Sequence, residues 1–133
     1  MKRIIRLLGS WRRDESGAAA IEFAIVGFVM ILIMLGLVEF GRGLLVHNEI
    51  AYLADIGSRK VLIDPGIADD ALQDEMREVF SKDDALLQIA ISTEVIDEIE
   101  YRIIAVAYPM NLLVPSLSDS TLSLNVTRRV PVG

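Results

Sequence analysis

A glycine and a glutamate near the start of the chain have the types and the spacing for chemistry at a membrane boundary. Gly17 precedes a run of small residues that starts at Ala18, and Glu22 and Phe23 follow that run. A glycine with small neighbours offers a protease an uncrowded peptide bond that unwinds easily. Cleavage after Gly17 would expose the amine of Ala18, and an α-amino group is largely protonated at neutral pH. The carboxylate of Glu22 can then pair with the Ala18 amine of a neighbouring copy, since the pairing offsets the desolvation of both charges.

The element that must hold this motif is an uninterrupted apolar stretch. From Phe23 to Val38 the chain has only apolar residues and glycine. A helix over 18–38 would be about 31 Å long, close to the hydrocarbon thickness of a bilayer, about 30 Å. Glu22 is the single charged residue in this segment, and a carboxylate in hydrocarbon is costly unless it is paired, protonated or near the interface. The sequence therefore predicts one transmembrane helix and marks Glu22 as a functional residue.

The charges on the two sides of the apolar segment differ in sign. Residues 1–17 carry a net charge of +3, and residues 39–133 carry −8 within a total of −6. Short basic flanks stay in the cytoplasm, so the N-terminus is predicted inside and the acidic remainder outside. The acidic part has no basic patch to neutralise phosphates, which argues against nucleic-acid binding. We predict a single-pass protein that contacts membrane lipid and does not bind nucleic acid.

Other catalytic and metal-binding patterns are missing from the sequence. The chain has no cysteine and a single histidine, His47, which excludes thiolate chemistry and imidazole-rich metal sites. No serine stands in a G-x-S-x-G context, and no glycine-rich phosphate loop occurs. An acidic cluster at 69–75 lacks the glycine-centred loop of a calcium site and is interpreted as the acidic start of a helix. We therefore predict that the protein is not an enzyme and that it holds no cofactor or metal.

After the apolar segment, residues 39–63 are predicted to continue the helix as an amphipathic stem. Their apolar residues recur at helical spacing, with charged residues between them. Glu39 and Arg42 stand three residues apart, so they can pair at the membrane edge. The sequence Asp64-Pro65-Gly66 is a strong turn signal that ends the stem.

Residues 64–133 are predicted to form a small head of one helix and three strands. The helix runs from about Asp70 to Phe80 and starts with a capping box of Asp70 and Gln73. Alternating apolar residues predict strands at 87–92, 99–108 and 122–127, with a loop at 109–120 before the last strand. In the second strand, Tyr101, Ile103, Ala105 and Ala107 share one face, and partial cover is expected over Ile104 and Val106 on the other.

A head of this size has a marginal core, so the sheet is expected to pack against the stem. The residues expected at this contact are Leu87, Ile89, Leu124 and Val126 of the sheet, with Leu45 and Tyr52 of the stem. The predicted fold class is α+β, in four consecutive parts: a cytoplasmic leader peptide (1–17), a transmembrane helix (18–38), an amphipathic stem helix (39–63) and an extracytoplasmic α+β head (64–133).

The run RDESGAAAIEFAIV, the apolar segment after it and LVEFGRGLLVHNEI together resemble the TadE-like pseudopilins of tight-adherence (Flp-type) pilus systems. Proteins of that family have a leader that ends in glycine and is cut by a prepilin peptidase, and a glutamate at the fifth mature position followed by an aromatic residue. Gly17, Glu22 and Phe23 match this motif one by one, although related prepilins often have tyrosine where this chain has Phe23. The resemblance is specific over residues 12–60 and loose beyond them.

The resemblance implies a pilin-like fold and a minor pilin-like subunit of a type IV pilus, cleaved between Gly17 and Ala18, with Glu22 and Phe23 setting the register of assembly. The implied partners are the prepilin peptidase, other pilin-like subunits and the inner-membrane assembly platform. The implied location is the inner membrane with a periplasmic head, and incorporation into the pilus stays open. The alternative is an uncleaved single-pass inner-membrane anchor whose periplasmic domain acts as a scaffold or binds a partner in a secretion complex, with Glu22 merely interfacial.

Overall fold

The computed structural model describes residues 15–113 and 121–132. They form helix α1 (Glu15–Ile63), helix α2 (Asp69–Val79), a 3-10 turn (Asp84–Leu86) and strands β1 (Gln88–Ile96), β2 (Ile99–Asn111) and β3 (Thr121–Pro131). The strands form an antiparallel sheet in the order β1-β2-β3. This arrangement confirms the predicted α+β class, with a long N-terminal helix, a short helix and three antiparallel strands. The chain divides between Val38 and Glu39 into two compact units.

The first unit contains the apolar part of α1. Its large apolar side chains from Ile21 to Val38 are exposed, and Phe23 keeps 79% of its surface accessible. A helix satisfies its backbone polar groups internally, which the hydrocarbon region of a membrane requires. The length and composition of α1 suit a membrane crossing, so the structure is compatible with a single-pass membrane protein. Residues 1–14 of the predicted leader lie outside the described residues, and the predicted domain boundaries stay predictions.

In the second unit, α1 supplies one wall of the hydrophobic core. The buried residues recur three, four or seven positions apart, along one face of the helix, and they are Val46, Ile50, Leu53, Ala54 and Val61. Leu45 and Tyr52, which were predicted to meet the head, are 63% and 60% exposed. That prediction is wrong because each residue turns the helix by about 100°, so these two side chains point away from the face that carries their buried neighbours.

Helix α2 covers the same core after the predicted turn at 64–66, which does end α1. Leu72 and Met76 are fully buried on its inner face. The helix starts one residue earlier than predicted, and the predicted capping box does not form: its N-cap is Ala68, with no side-chain hydrogen bond. Asp70 instead lies within the first turn, where its Oδ1 accepts from the next backbone N–H at 2.9 Å.

The face of β2 that packs on the helices is the one for which only partial cover was predicted. Ile104 and Val106 are fully buried, whereas the opposite face, at Tyr101, Ile103, Ala105 and Ala107, is half-buried. Both faces of this central strand carry apolar residues, so the sequence pattern alone does not show which face is buried.

On the flanking strands, the residues paired with Val106 lie on the same face of the sheet as Val106. Val106 is paired with Ile89 of β1 and with Val126 of β3. The predicted burial of Leu87 and Val126 is confirmed, while Ile89 and Leu124 are partly buried.

Strands β2 and β3 are longer than predicted. Strand β2 continues through Pro109 to Asn111, which were expected in a loop. Proline has no N–H and is tolerated where a strand lies at a sheet edge. The pairing of β1 with β2 ends at Gln88 and Ala107, so β3 is the sheet neighbour of β2 at Pro109. Residues 114–120 of the predicted loop lie outside the described residues.

Gly57 marks the closest approach of α1 to the rest of the core. A Cβ placed on Gly57 would lie 2.8 Å from Sδ of Met76 and 3.2 Å from Cδ1 of Ile104. Both of those side chains are fully buried, so they have little room to move. Glycine lowers the stability of the helix at this position, but its lack of a side chain lets α1 pack closely against α2 and the sheet.

We expect Gly57→Leu to destabilise the second unit by roughly 1–3 kcal/mol, because extra carbon atoms overpack a filled core. Gly41→Leu is the matched control, since a Cβ there meets no atom within 4 Å, and removing glycine from a helix gains up to about 1 kcal/mol. The measurement is trypsin resistance of the full chain in detergent at rising temperature. Equal effects of the two substitutions would contradict the close approach.

Candidate functional site: the start and the stem of helix α1

The four residues predicted for cleavage and assembly lie together near the start of α1. Gly17, Ala18, Glu22 and Phe23 are helical and exposed. A Cβ on Gly17 would meet no atom within 4 Å, and no described glycine has a positive φ. Packing and backbone conformation therefore do not account for glycine at position 17, and its use by a protease stays a prediction.

Ala18 and Glu22 are neighbours on the surface of the helix. Residues four apart stand one above the other, about 6 Å along the axis. Among the described residues, Glu22 forms no ion pair, and Phe23 beside it is exposed. The arrangement presents one carboxylate on an apolar surface, close to the residue whose amine a cut after Gly17 would release. Chemically, it can accept hydrogen bonds from a cation on another molecule.

Further along α1, carboxylates bind the helix to the head through contacts that the sequence analysis did not predict. Glu39 is the first of these carboxylates. Its Oε1 accepts from Arg42 at 3.0 Å, which is the predicted pair, and its Oε2 accepts from the backbone N–H of Leu113 at 2.8 Å. The Glu39 side chain is 15% exposed, and hydrogen bonds to charged groups contribute about 1.5–3 kcal/mol each. Glu39 therefore ties the first turn of the second unit to the residues that follow β2.

Glu49, two to three turns further along, holds the segment that follows α2. Its carboxylate accepts from the backbone N–H of Ser81 at 3.2 Å. It also accepts from the Ser81 hydroxyl and pairs with the ammonium group of Lys82. No local spacing rule connects these residues, because they are more than thirty positions apart. Their contact is a product of the tertiary fold.

Two more exposed ion pairs follow towards the end of α1. Asp55 accepts from Nε of Arg128 on β3 at 2.8 Å, and Nζ of Lys60 lies 2.6 Å from Oε2 of Glu75 on α2. Pairs with this exposure contribute about 0–1 kcal/mol each. Their value is in specificity, since each one fixes a different head element along the helix.

Arg102 is a buried arginine that the sequence analysis missed. It lies on the inner face of β2 and is 8% exposed. Its guanidinium donates to the carbonyl oxygens of Pro65 at 3.3 Å and Ile67 at 2.7 Å, and it pairs with Asp69. Planar guanidinium donors suit several acceptors at once. Arg102 therefore holds the turn between α1 and α2 against the start of β2.

The acidic cluster at the start of α2 takes part in these contacts. Asp69 pairs with Arg102, and Glu75 pairs with Lys60. Within residues 15–113 and 121–132, no group of three histidine or acidic side chains is placed to hold a metal ion. His47 is exposed on α1. Asp69 and Glu75 thus connect α2 to other elements of the second unit.

Comparison with known proteins finds one family model that is similar to the N-terminal segment. The family model described as TadE-like protein matches residues 17–59. Comparison with curated proteins and with solved structures gives no match. The matched segment begins at Gly17 and includes Glu22, Phe23 and Glu39. It ends inside α1, before α2 and the sheet. Over residues 17–59, about a third of its length, this chain is similar to the TadE-like family, as the motif around Gly17 and Glu22 predicts.

Proposed function

We propose that the protein is a minor pilin-like subunit that a prepilin peptidase cleaves between Gly17 and Ala18 and that takes part in assembling a tight-adherence type IV pilus. The observation that carries the proposal is the family match, which begins at the glycine of the predicted cleavage site. Glu22 then stands at the fifth position of the mature chain, followed by the aromatic Phe23. In this function the protein is a structural subunit and has no catalytic role of its own.

The proposed partners follow from the same segment. In the inner membrane, the exposed apolar surface of α1 contacts lipid and the helices of other pilin-like subunits. Glu22 of one subunit pairs with the Ala18 amine of a neighbour, which sets the axial register between them. The assembly platform of the inner membrane takes up the processed subunit. The head then lies in the periplasm, as the basic residues before the span and the acidic residues after it favour.

One structural observation favours the second candidate, an uncleaved single-pass anchor for a periplasmic partner-binding domain. Gly17 lies inside the helix, which begins at Glu15. A protease binds an extended segment, so this helical turn must unwind before it is cut. Unwinding is easiest at a helix start, because the first four N–H groups have no partner within the helix. An uncleaved anchor keeps the helical state of Gly17, whereas cleavage requires this turn to unwind, and the N-terminus of the protein in the membrane separates the two functions.

We expect membrane-extracted protein from cells that contain the peptidase to begin at Ala18, as read by N-terminal sequencing and intact mass. Gly17→Leu should leave the full-length N-terminus in place, because a bulky side chain crowds the scissile bond. Gly27→Leu is the matched control inside the span, and it should be processed like the parent. Recovery of only the full-length N-terminus from the parent chain would refute processing and favour the anchor.

A further inference from the structure

Exposed aliphatic side chains of the second unit gather at one end of the head. Leu113 follows β2 and donates its N–H to Glu39. Leu122 of β3 pairs with Met110, whose Cε would lie 3.7 Å from a Cβ on Gly43. These contacts place Leu113 and Leu122 beside the first two turns of α1 after Val38.

The same end includes more apolar surface from α1 and from the 3-10 turn. Leu86 and Arg42 line one cavity of about 190 Å³ together with Met110. On α1, Phe40, Leu44 and Leu45 are exposed. We call six residues of this end the apolar rim, and with their exposed fractions they are Phe40 (67%), Leu44 (49%), Leu45 (63%), Leu86 (41%), Leu113 (57%) and Leu122 (45%).

Two ion pairs lie beside the apolar rim. Arg42 pairs with Glu39, and Lys82 pairs with Glu49. Asp83 accepts from a backbone N–H of the 3-10 turn that ends at Leu86, and Asp84 next to it is exposed. Among the described residues beside the rim, basic side chains do not outnumber acidic ones, so nothing in this part of the surface attracts anionic headgroups. The surface is therefore suited to apolar contact.

The opposite end of the head has a different character. The turn between β1 and β2 is formed by Asp97 and Glu98, which both have positive φ, and Glu94 and Glu100 flank it. Exposed Val95 lies at this acidic end. Carboxylates are costly to transfer into hydrocarbon, so this end is not suited to apolar contact. The head has one apolar and one acidic end, and the apolar end adjoins the residue that follows the membrane segment.

We propose that the apolar rim is a membrane-docking surface, through which the head rests on the bilayer that α1 crosses. The occupant of the surface is the neutral, apolar part of the lipid interface, reached by aliphatic side chains. We choose lipid as the occupant because Glu39, beside the rim, directly follows Val38 of the apolar segment in the same helix. The paired charges beside the rim give no preference for anionic lipid. This docking requires membrane insertion of α1 and does not depend on cleavage at Gly17.

The test uses single cysteines, since the chain has none of its own. Leu113→Cys and Leu122→Cys of the full chain are labelled with the fluorophore NBD and reconstituted in phosphatidylcholine vesicles whose acyl chains carry a nitroxide quencher. Val95→Cys is the matched control, an exposed aliphatic position of the same sheet at its acidic end. We expect lipid quenching several-fold stronger at the two rim positions than at Val95, and unchanged when phosphatidylglycerol is added.

Quenching at Leu113 and Leu122 as weak as at Val95 would overturn the proposal, because the head would then stand off the membrane. Weak lipid quenching with fluorophore self-quenching that rises with the protein-to-lipid ratio would also overturn it, in favour of a second copy of this chain on the rim. A further variant excludes an effect of the label itself. With the probe at Leu86→Cys, the double substitution Leu113→Asp and Leu122→Asp should lower the lipid quenching, and no change would contradict docking.

Discussion

Glu22→Gln should be inserted and processed like the parent protein but should fail to support pili. The substitution keeps the shape of the side chain and removes its charge. A carboxylate and an ammonium group 4 Å apart interact by about 4 kcal/mol at an effective dielectric constant near 20, which corresponds to roughly a thousand-fold in an association constant. The measurement is complementation of a deletion strain, scored separately for the mature N-terminus, for co-purification with other pilin-like subunits and for surface pili.

Glu22→Asp should recover little of the function, because a side chain shorter by one methylene does not reach the amine of a neighbour. Glu78→Gln is the matched control: it removes the same charge from an exposed position of α2, outside the family match, and should support normal pili. If Glu22→Gln also supports normal pili, the pairing of Glu22 with the Ala18 amine is refuted, even where cleavage after Gly17 has been demonstrated.

The second large effect concerns the dependence of the head on the stem. A fragment of residues 39–133 should fold, whereas a fragment of residues 64–133 should remain unfolded. The shorter fragment loses the five buried residues that α1 contributes to the core, and burying one large aliphatic side chain contributes roughly 1.5–3 kcal/mol. The total stability of a domain is only about 5–15 kcal/mol. Circular dichroism, amide NMR dispersion and protease resistance in mild detergent distinguish the two states.

Two substitutions within the longer fragment test which face of the stem carries the core. Ile50→Ala removes a fully buried side chain and should destabilise the fragment by roughly 2–5 kcal/mol. Tyr52→Ala, two residues away on the exposed face, should change stability by about 0.5 kcal/mol or less. A fragment of residues 64–133 that is protease-resistant and gives dispersed NMR signals would show that the head does not need the stem.

Patterns along the chain were sufficient to predict the elements of the fold. The apolar run predicts the helix, Asp64-Pro65-Gly66 predicts where it ends, and alternation predicts the three strands. The i,i+3 spacing of Glu39 and Arg42 predicts their ion pair. These features rest on helical or strand geometry over a few residues, so local sequence contains the information. The motif of Gly17 and Glu22 is local in the same sense, and the family match to residues 17–59 begins with it.

Tertiary packing decided which of several similar apolar residues are buried. Leu45 and Val46 are both apolar neighbours on α1, and only the position of the sheet determines that Val46 is buried. On β2 both faces are apolar, so burial of Ile104 follows from its strand register and from its contact with the helix at Gly57. The predicted capping box at Asp70 does not form, because helix α2 starts one residue earlier than predicted.

No pattern in the sequence predicts the ion pairs and hydrogen bonds that join distant elements of the second unit. Glu49 with Lys82 and Arg102 with the turn before α2 join residues more than thirty positions apart. Nothing in the local sequence of either partner identifies the other, because such a pair exists only once packing has brought its two elements together. The sequence by itself determined the apolar segment and the motif of Gly17 and Glu22, since both depend on the order of neighbouring residues. The tertiary structure alone decided which side of the stem holds the head and which end of the head is apolar, since both depend on contacts between distant segments.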